Sequence, residues 1–170
     1  MGHIVLVGLM GSGKTTVGAP LAAELGVPRR DSDADIERDT GLRGRDLAAR
    51  DGIAALHELE ARHLLEALRQ PGMTVVCPAA STIDDPRCRA ALRDPRHLIV
   101  WLTASPEALA ARHDPDDHRP GFGPDLAEVI REQAERRDPA FQEVADLTLD
   151  ATEPVEALVA AIVTHADAVG

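Results

Sequence analysis

The segment Gly8-Leu9-Met10-Gly11-Ser12-Gly13-Lys14-Thr15 does most to limit what this chain can fold into. It follows the apolar run Ile4–Val7 and precedes a helical pattern, which is the strand-loop-helix context that the pattern G-x-x-x-x-G-K-[ST] requires. Glycines let the backbone turn tightly enough for several N–H groups to converge on phosphate oxygens at the positive end of a helix dipole. Gly11, Ser12, Gly13, Lys14, Thr15 and Thr16 are therefore candidate nucleotide ligands. Lys14 is expected to reach the β and γ phosphates of a nucleoside triphosphate, and Thr15 to offer its hydroxyl to Mg²⁺.

Apolar runs bounded by turn residues recur at 73–77, 98–102 and 147–149, with a weaker candidate at 27–31. Helical patterns fall between them. Residues 53–68 place Leu56, Leu59, His63, Leu64 and Leu68 on one face at three-and-four spacing. Ser105 is a good N-cap with Pro106 at the first helical position, and Thr152 similarly precedes Pro154 and a terminal helix rich in Ala and Val. Strands that alternate with helices predict an α/β fold, a parallel sheet with helices on both faces and ligands at the carboxyl ends of the strands. Pro20 falls inside the helix that should follow the phosphate loop, where a kink or an early break is expected. Residues 113–124 mix Pro, Asp, His and Gly without periodicity and read as a mobile flap.

At 170 residues one domain is expected, and a chain of this order buries roughly 70% of its unfolded surface, enough for a core without staples. The net charge of −11 argues against a nucleic-acid partner, since phosphate backbones are drawn to stripes of Lys and Arg. Lys14 is the only lysine, so other positive charge is carried by arginine. Two isolated cysteines, Cys77 and Cys88, give neither a disulfide framework nor a metal motif. No charged-then-apolar leader and no run of ~20 apolar residues occur, so a cytoplasmic chain without a membrane partner is expected. The residues do not set an oligomeric state, and a monomer is the default expectation.

Asp31-Ser32-Asp33 closes the second strand candidate, which sets both carboxylates at the ligand-bearing edge beside the phosphate loop. Asp31 is a candidate for the Mg²⁺ shell and Asp33 for orienting or deprotonating an attacking hydroxyl. The same triplet also suits an N-cap for a helix over 34–40. Arg112 and Arg119 flank or occupy the flap, and Arg136-Arg137 end a long charged helix. Arginines delivered by a closing lid neutralise a transferring phosphoryl group and exclude water.

These motifs in this order resemble the shikimate kinase family over nearly the whole chain. The residues that carry the resemblance are GLMGSGKTTVG, DSDADIE, Thr40-Gly41, the helix from Asp51 through Glu60, Arg119-Pro120, and RDPAFQEVAD from Arg137 to Asp146. The resemblance implies a nucleoside-monophosphate-kinase-like three-layer sandwich, with a five-stranded parallel sheet, a substrate-binding helical region at about 33–61 and a mobile lid at about 112–124. It further implies ATP and Mg²⁺ as cofactors. Asp31 would serve the metal, Asp33 the substrate hydroxyls, Arg112 the adenine, Arg119 the phosphates, Arg137 the substrate carboxylate, and the loop at Pro154 would border the adenine.

Four departures concern the acceptor half. The family pattern G-E-x-x-F-R-x-x-E places an arginine where this chain has His57, and a Gly-Gly-Gly turn where it has Ala79-Ala80-Ser81. An aromatic expected in the same pocket is Ala48, and a tyrosine after the R-x-P motif is Phe141. Glycines at positive φ would be strained as alanines. A bidentate Arg–carboxylate contact contributes roughly 1.5–3 kcal/mol, so losing one weakens recognition roughly ten- to a hundredfold. The expected function is ATP-dependent phosphorylation of a hydroxyl on a small polyol, cyclitol or sugar-like acceptor other than shikimate, with Asp33, His57, Ala79, Ala80, Ser81 and Arg137 shaping its pocket. Two alternatives stand beside it: a non-catalytic nucleotide-binding regulatory homologue, and a true shikimate kinase with an altered pocket.

Overall fold

The structure, a computed structural model, describes residues 2–112 and 125–169. Strand β1 (Ile4–Val7) is buried along its whole length because strands close both its edges and helices cover both its faces. It pairs in parallel with β3 (Val75–Cys77), Ile4 opposite Val75, and with β4 (Leu98–Thr103), Ile4 opposite Leu98. With β2 (Arg29–Asp31) outside β3 and β5 (Leu147–Asp150) outside β4, the sheet is five-stranded and parallel in the order β2-β3-β1-β4-β5. The third strand is shorter than its apolar run: Met73 and Thr74 precede it, and Thr74 only lends its carbonyl to Ile4 N–H at 3.1 Å. The chain fills one side of β1 with β2 and β3 and the other with β4 and β5, so a crevice opens at the carboxyl end of β1.

Side chains alternate across the strands and feed two cores. On one face Leu6 and Val100 pack with Val17 and Leu21 of α1 (Lys14–Leu25) and with Leu158 and Ile162 of α8 (Val155–Val169). On the other, Val5 and Ile99 pack with Leu64 of α4 (Ile53–Ala67), Cys88 of α5 (Pro86–Leu92), Leu109 of α6 (Pro106–Ala111) and Phe141 of α7 (Leu126–Val144). A third, smaller cluster joins Ile36 of α2 (Ser32–Thr40), Leu47 of α3 (Gly44–Asp51) and Leu56 of α4. Both cysteines are buried thiols. Among the described residues no helix is long and apolar enough to cross a membrane.

Four local expectations change, the first in α7, which runs on through Pro139 to Val144 instead of ending at Arg136-Arg137. Helix α1 runs through Pro20 without a break; the proline lies on the exposed side, where water serves the carbonyl its ring leaves unpaired. Ser105 caps α6 as its sequence implies, accepting from Ala108 N–H at 3.2 Å. Thr152 caps nothing: its hydroxyl donates to Asp150 at 2.6 Å, and α8 begins only after Pro154. The second strand stops at Asp31, so Asp33 belongs to the first turn of α2 rather than to the strand.

Candidate active site

Two close approaches shape the loop that leaves β1. A Cβ at Gly8 would lie 2.4 Å from the Leu102 carbonyl, and one at Gly11 would lie 2.7 Å from the Leu109 carbonyl; both residues have positive φ. The loop is thus wedged between β4 and α6 in a conformation only glycine adopts freely. It ends in α1, whose first amides have no acceptors within the helix. Lys14 is buried, and its ammonium donates to the carbonyls of Gly8 at 2.8 Å and Leu9 at 3.0 Å. Ser12 is 1% exposed, and its hydroxyl has no hydrogen-bond partner. An orphaned hydroxyl, unfilled helix amides and one ammonium form a polar, positive cradle that fits the phosphates of a nucleotide.

Thr15 and Asp31 meet across the gap between α1 and β2, the hydroxyl donating to Asp31 Oδ2 at 2.7 Å. The other oxygen of Asp31 accepts from Ala34 N–H at 3.4 Å, so this carboxylate also caps α2. The capping reading of Asp31 is thus observed, and its bond to Thr15 leaves it beside the other residue expected to serve a metal. Oxygen donors of this kind suit a hard divalent cation that keeps much of its water.

Arg112 forms the C-cap of α6 and neighbours the 150–154 loop. Hydrogen bonds from Thr152, side chain first and then backbone, hold the Asp150 carboxyl below its usual range, and the charge of Arg112 adds to them. Arg112 and the 150–154 loop, drawn from separate parts of the chain, thus come close to one another. Arg119 and the 113–124 part of the expected lid lie outside the described residues.

The acceptor candidates converge on a cavity of about 830 Å³. Asp33 enters it from α2, His57 and Glu60 from α4, Ser81 from the turn after β3, and Arg137 from α7. Ala48 lines it too, leaving room where an aromatic ring would stand, whereas Phe141 sits in the core against Trp101. A depression of about 920 Å³ around His3, His97 and His165 lies at the opposite end of the strands and holds none of these residues. Parallel sheets present ligands at the carboxyl edge, so the smaller cavity is the acceptor candidate.

The Ala79-Ala80-Ser81 turn carries no strain. Ala79 has φ −62° and ψ 147°, the next residues form a short 3-10 turn over Ala80–Asp84, and no residue other than glycine has positive φ among those described. The chain has rebuilt the turn in a conformation open to L-residues, which overturns the expected strain. Desolvation in the cavity wall, followed by the charge of Arg137, pushes the pKa of His57 below its ordinary value, so its ring is neutral at pH 7. Arg137 is 6% exposed and each of its nitrogens donates within the chain: Nε and one terminal nitrogen to Asp84 Oδ2 at 2.9 and 2.7 Å, the other to Gln133 Oε1 at 3.0 Å.

Sequence reasoning missed several participants. Glu60 is buried and accepts from the Ser81 hydroxyl, which ties α4 to the rebuilt turn. The final Glu of the G-E-x-x-F-R-x-x-E pattern was the available signal. Asp84 carried none, because nothing local pairs it with a residue 53 positions later. His63 does face inward as its spacing predicts, but it bonds to Asp35, at 2.7 Å, instead of packing as an apolar residue.

The shikimate kinase family profile matches residues 10–167. A shikimate kinase of Thioalkalivibrio sulfidiphilus is 35% identical over 149 residues, covering 87% of this chain and 77% of that one. Another, from Thiobacillus denitrificans, is 37% identical over 150 residues, covering 87% and 80%. The structure of a shikimate kinase from Acinetobacter baumannii in complex with shikimate superposes with a TM-score of 0.91 at 29% identity, over 99% of this chain and 94% of that one. A gluconokinase from Sinorhizobium meliloti reaches only 0.58 at 25% identity, over 93% and 87%. With a matched profile over nearly all its length and relatives above 30% identity, this chain belongs to the shikimate kinase family, ATP-dependent phosphotransferases that act on the hydroxyl of a small molecule.

Proposed function

We propose that this protein transfers the γ-phosphoryl group of Mg²⁺-bound ATP to a hydroxyl of a small polyol, cyclitol or sugar-like acceptor other than shikimate. The observation that carries the reading is a single cavity at the sheet edge. Asp33 faces it beside the phosphate loop, while neutral His57 and the Ala79-Ala80-Ser81 turn replace a cationic and glycine-lined wall. The relatives named above are shikimate kinases; the reading departs from them on the acceptor half, where this chain carries His57 and Ala79-Ala80-Ser81.

In this reading Lys14 and the amides at the start of α1 hold the β and γ phosphates and oppose the charge that builds as the phosphoryl group leaves. Mg²⁺ supplies further neutralisation of that charge, and Thr15 and Asp31 are the residues that would hold it. Asp33 orients the acceptor hydroxyl and takes its proton. Ser81 and His57 present neutral hydrogen-bonding groups to the remaining hydroxyls. Arg112 and Pro154 border the base, and Arg119 is the residue that the family resemblance assigns to the phosphates.

ADP release measured with shikimate and with a panel of polyols and cyclitols tests the proposal. Turnover of an uncharged acceptor with kcat/KM above that of shikimate is the expected result. Shikimate turnover at the level of ordinary small-molecule kinases would instead mark a shikimate kinase with an altered pocket. ATP binding without turnover of any acceptor would mark a regulatory homologue.

A further inference from the structure

Among the described residues Asp84 is the only one that bonds both Arg136 and Arg137, which line the acceptor cavity. Its Oδ2 takes two donors from Arg137, described above, and lies 3.4 Å from the guanidinium of Arg136. Gln133 takes one N–H of the third nitrogen, so all three nitrogens of Arg137 donate within the chain and three of its five N–H groups are engaged there. The third guanidinium lining the cavity, Arg45, faces Asp46 at 3.8 Å. Among the described lining residues each arginine therefore lies beside a carboxylate of the same chain, Arg136 and Arg137 sharing Asp84. Asp33 and Glu60 add negative charge to the wall, and the neutral ring of His57 adds none. A molecule bearing a carboxylate would meet an Arg137 whose charge Asp84 already offsets, in a cavity whose described wall carries no surplus of positive charge. A molecule bearing only hydroxyls would meet the carboxylates of Asp33 and Glu60 and the hydroxyl of Ser81, and would not compete with Asp84 for Arg137.

We propose that Asp84 is a specificity-determining residue: its carboxylate occupies the Arg137 guanidinium from within the chain, so the cavity takes an uncharged polyhydroxylated acceptor and discriminates against one that carries a carboxylate. This rests on the acceptor reading above and names the residue that sets it. Arg137 keeps its structural place while its charge is spent internally. Because Asp84 is partly exposed, with 39% of its side chain open to solvent, the gate depends on the pair staying closed rather than on a sealed core.

The test compares shikimate with its methyl ester, which keeps the ring and hydroxyls but loses the charge. Both are measured by calorimetry and by ADP release on the intact protein and on Asp84→Asn and Asp84→Ala. In the unmodified protein the ester binds at least as tightly as shikimate; tighter binding of shikimate overturns the proposal without any variant. In Asp84→Asn, shikimate binding tightens roughly ten- to a hundredfold, the value of one charge-assisted Arg–carboxylate contact, while ester binding does not move. Equal movement of the two ligands, or movement of neither, overturns the proposal, because Asp84 would then swing freely into solvent. Melting midpoints identify a variant that has lost its fold, and the second substitution supplies the replacement. If Asp84→Asn gains shikimate binding but no protein turns over any acceptor, the charge gate stands and the catalytic reading falls.

Discussion

Thr15 donates its hydroxyl to Asp31 Oδ2 at 2.7 Å, tying the first turn of α1 to the end of β2. Two segments that meet only through sheet order thereby place two hard oxygen donors side by side. Asp31→Asn keeps the shape and an acceptor but loses the charge. The Mg²⁺ concentration giving half-maximal ADP release is expected to rise roughly tenfold or more, with little change in melting temperature. A Mg²⁺ titration of the rate at fixed ATP checks this, and an unchanged midpoint would remove Asp31 from the metal shell.

Lys14 is the single lysine of the chain and is buried against the carbonyls of its own loop. Lys14→Met keeps the apolar stem and deletes the ammonium. The expected loss in kcat is about 10²- to 10³-fold, the scale of one preorganised charge-stabilising donor. Steady-state kinetics reads it, and circular dichroism melting separates lost chemistry from a collapsed loop.

Asp35 lies at the centre of a buried ion cluster, accepting from Arg30 Nε at 2.5 Å, Arg38 at 2.7 Å and His63 Nε2 at 2.7 Å. Burial by itself would raise its pKa, but hydrogen bonds from Arg30 and His63 outweigh it and hold the carboxyl below its ordinary value. The folded value lies below the unfolded one, so this contribution is complete above about pH 4 and fades as the pH falls through the lowered folded value. Asp35→Ala should cost about 3 kcal/mol in urea denaturation at pH 7, because it leaves Arg30 without its counter-ion and the buried His63 ring without its hydrogen-bond partner. The variant should also lose less stability than the parent when both are acidified from pH 5 to pH 3.

His57 titrates below the ordinary histidine value of ~6.5, first through desolvation and then through the charge of Arg137. Its ring is neutral throughout the neutral and alkaline range, so acceptor KM should be flat above about pH 7 and change only on acidification. In His57→Asn the flat region should persist and any acid limb due to the ring should vanish. An acid limb of the same midpoint in the variant would assign it to another group.

Gly18 brings α1 against β3: a Cβ there would lie 2.4 Å from Cys77 Sγ. Gly18→Ala should destabilise by about 1–3 kcal/mol, although alanine is the better helix former, because the overpacked contact exceeds the propensity gain. Urea denaturation of the pair of proteins measures the difference, and a stabilised variant would show that helix and strand part easily.

The phosphate loop was legible because its chemistry is local. A glycine spacing, an apolar run before it and a helix after it lie within 25 residues, so one short stretch fixes both backbone and ligands. The strands were legible for a related reason: a sheet buried on both faces leaves continuous apolar runs. Local rules erred at Pro20, where solvent exposure relieves the cost, and at Thr152, whose hydroxyl found Asp150 instead of a helix amide.

The acceptor side was legible only as a set of departures. Sequence named His57, Ala79, Ala80, Ser81 and Arg137, and the fold assembled them around one cavity with Asp33. It carried no sign that Asp84 holds Arg137, that Glu60 takes the Ser81 hydroxyl, or that Asp35 anchors His63. These pairs stand 53, 21 and 28 residues apart, and side chains that far along a chain meet only where strand order and helix packing bring them. The chain by itself thus determined where phosphate is cradled, since that requires only consecutive backbone. Which charges remain open to a second ligand was decided by tertiary structure, because neutralisation depends on distance in space and not on position in sequence.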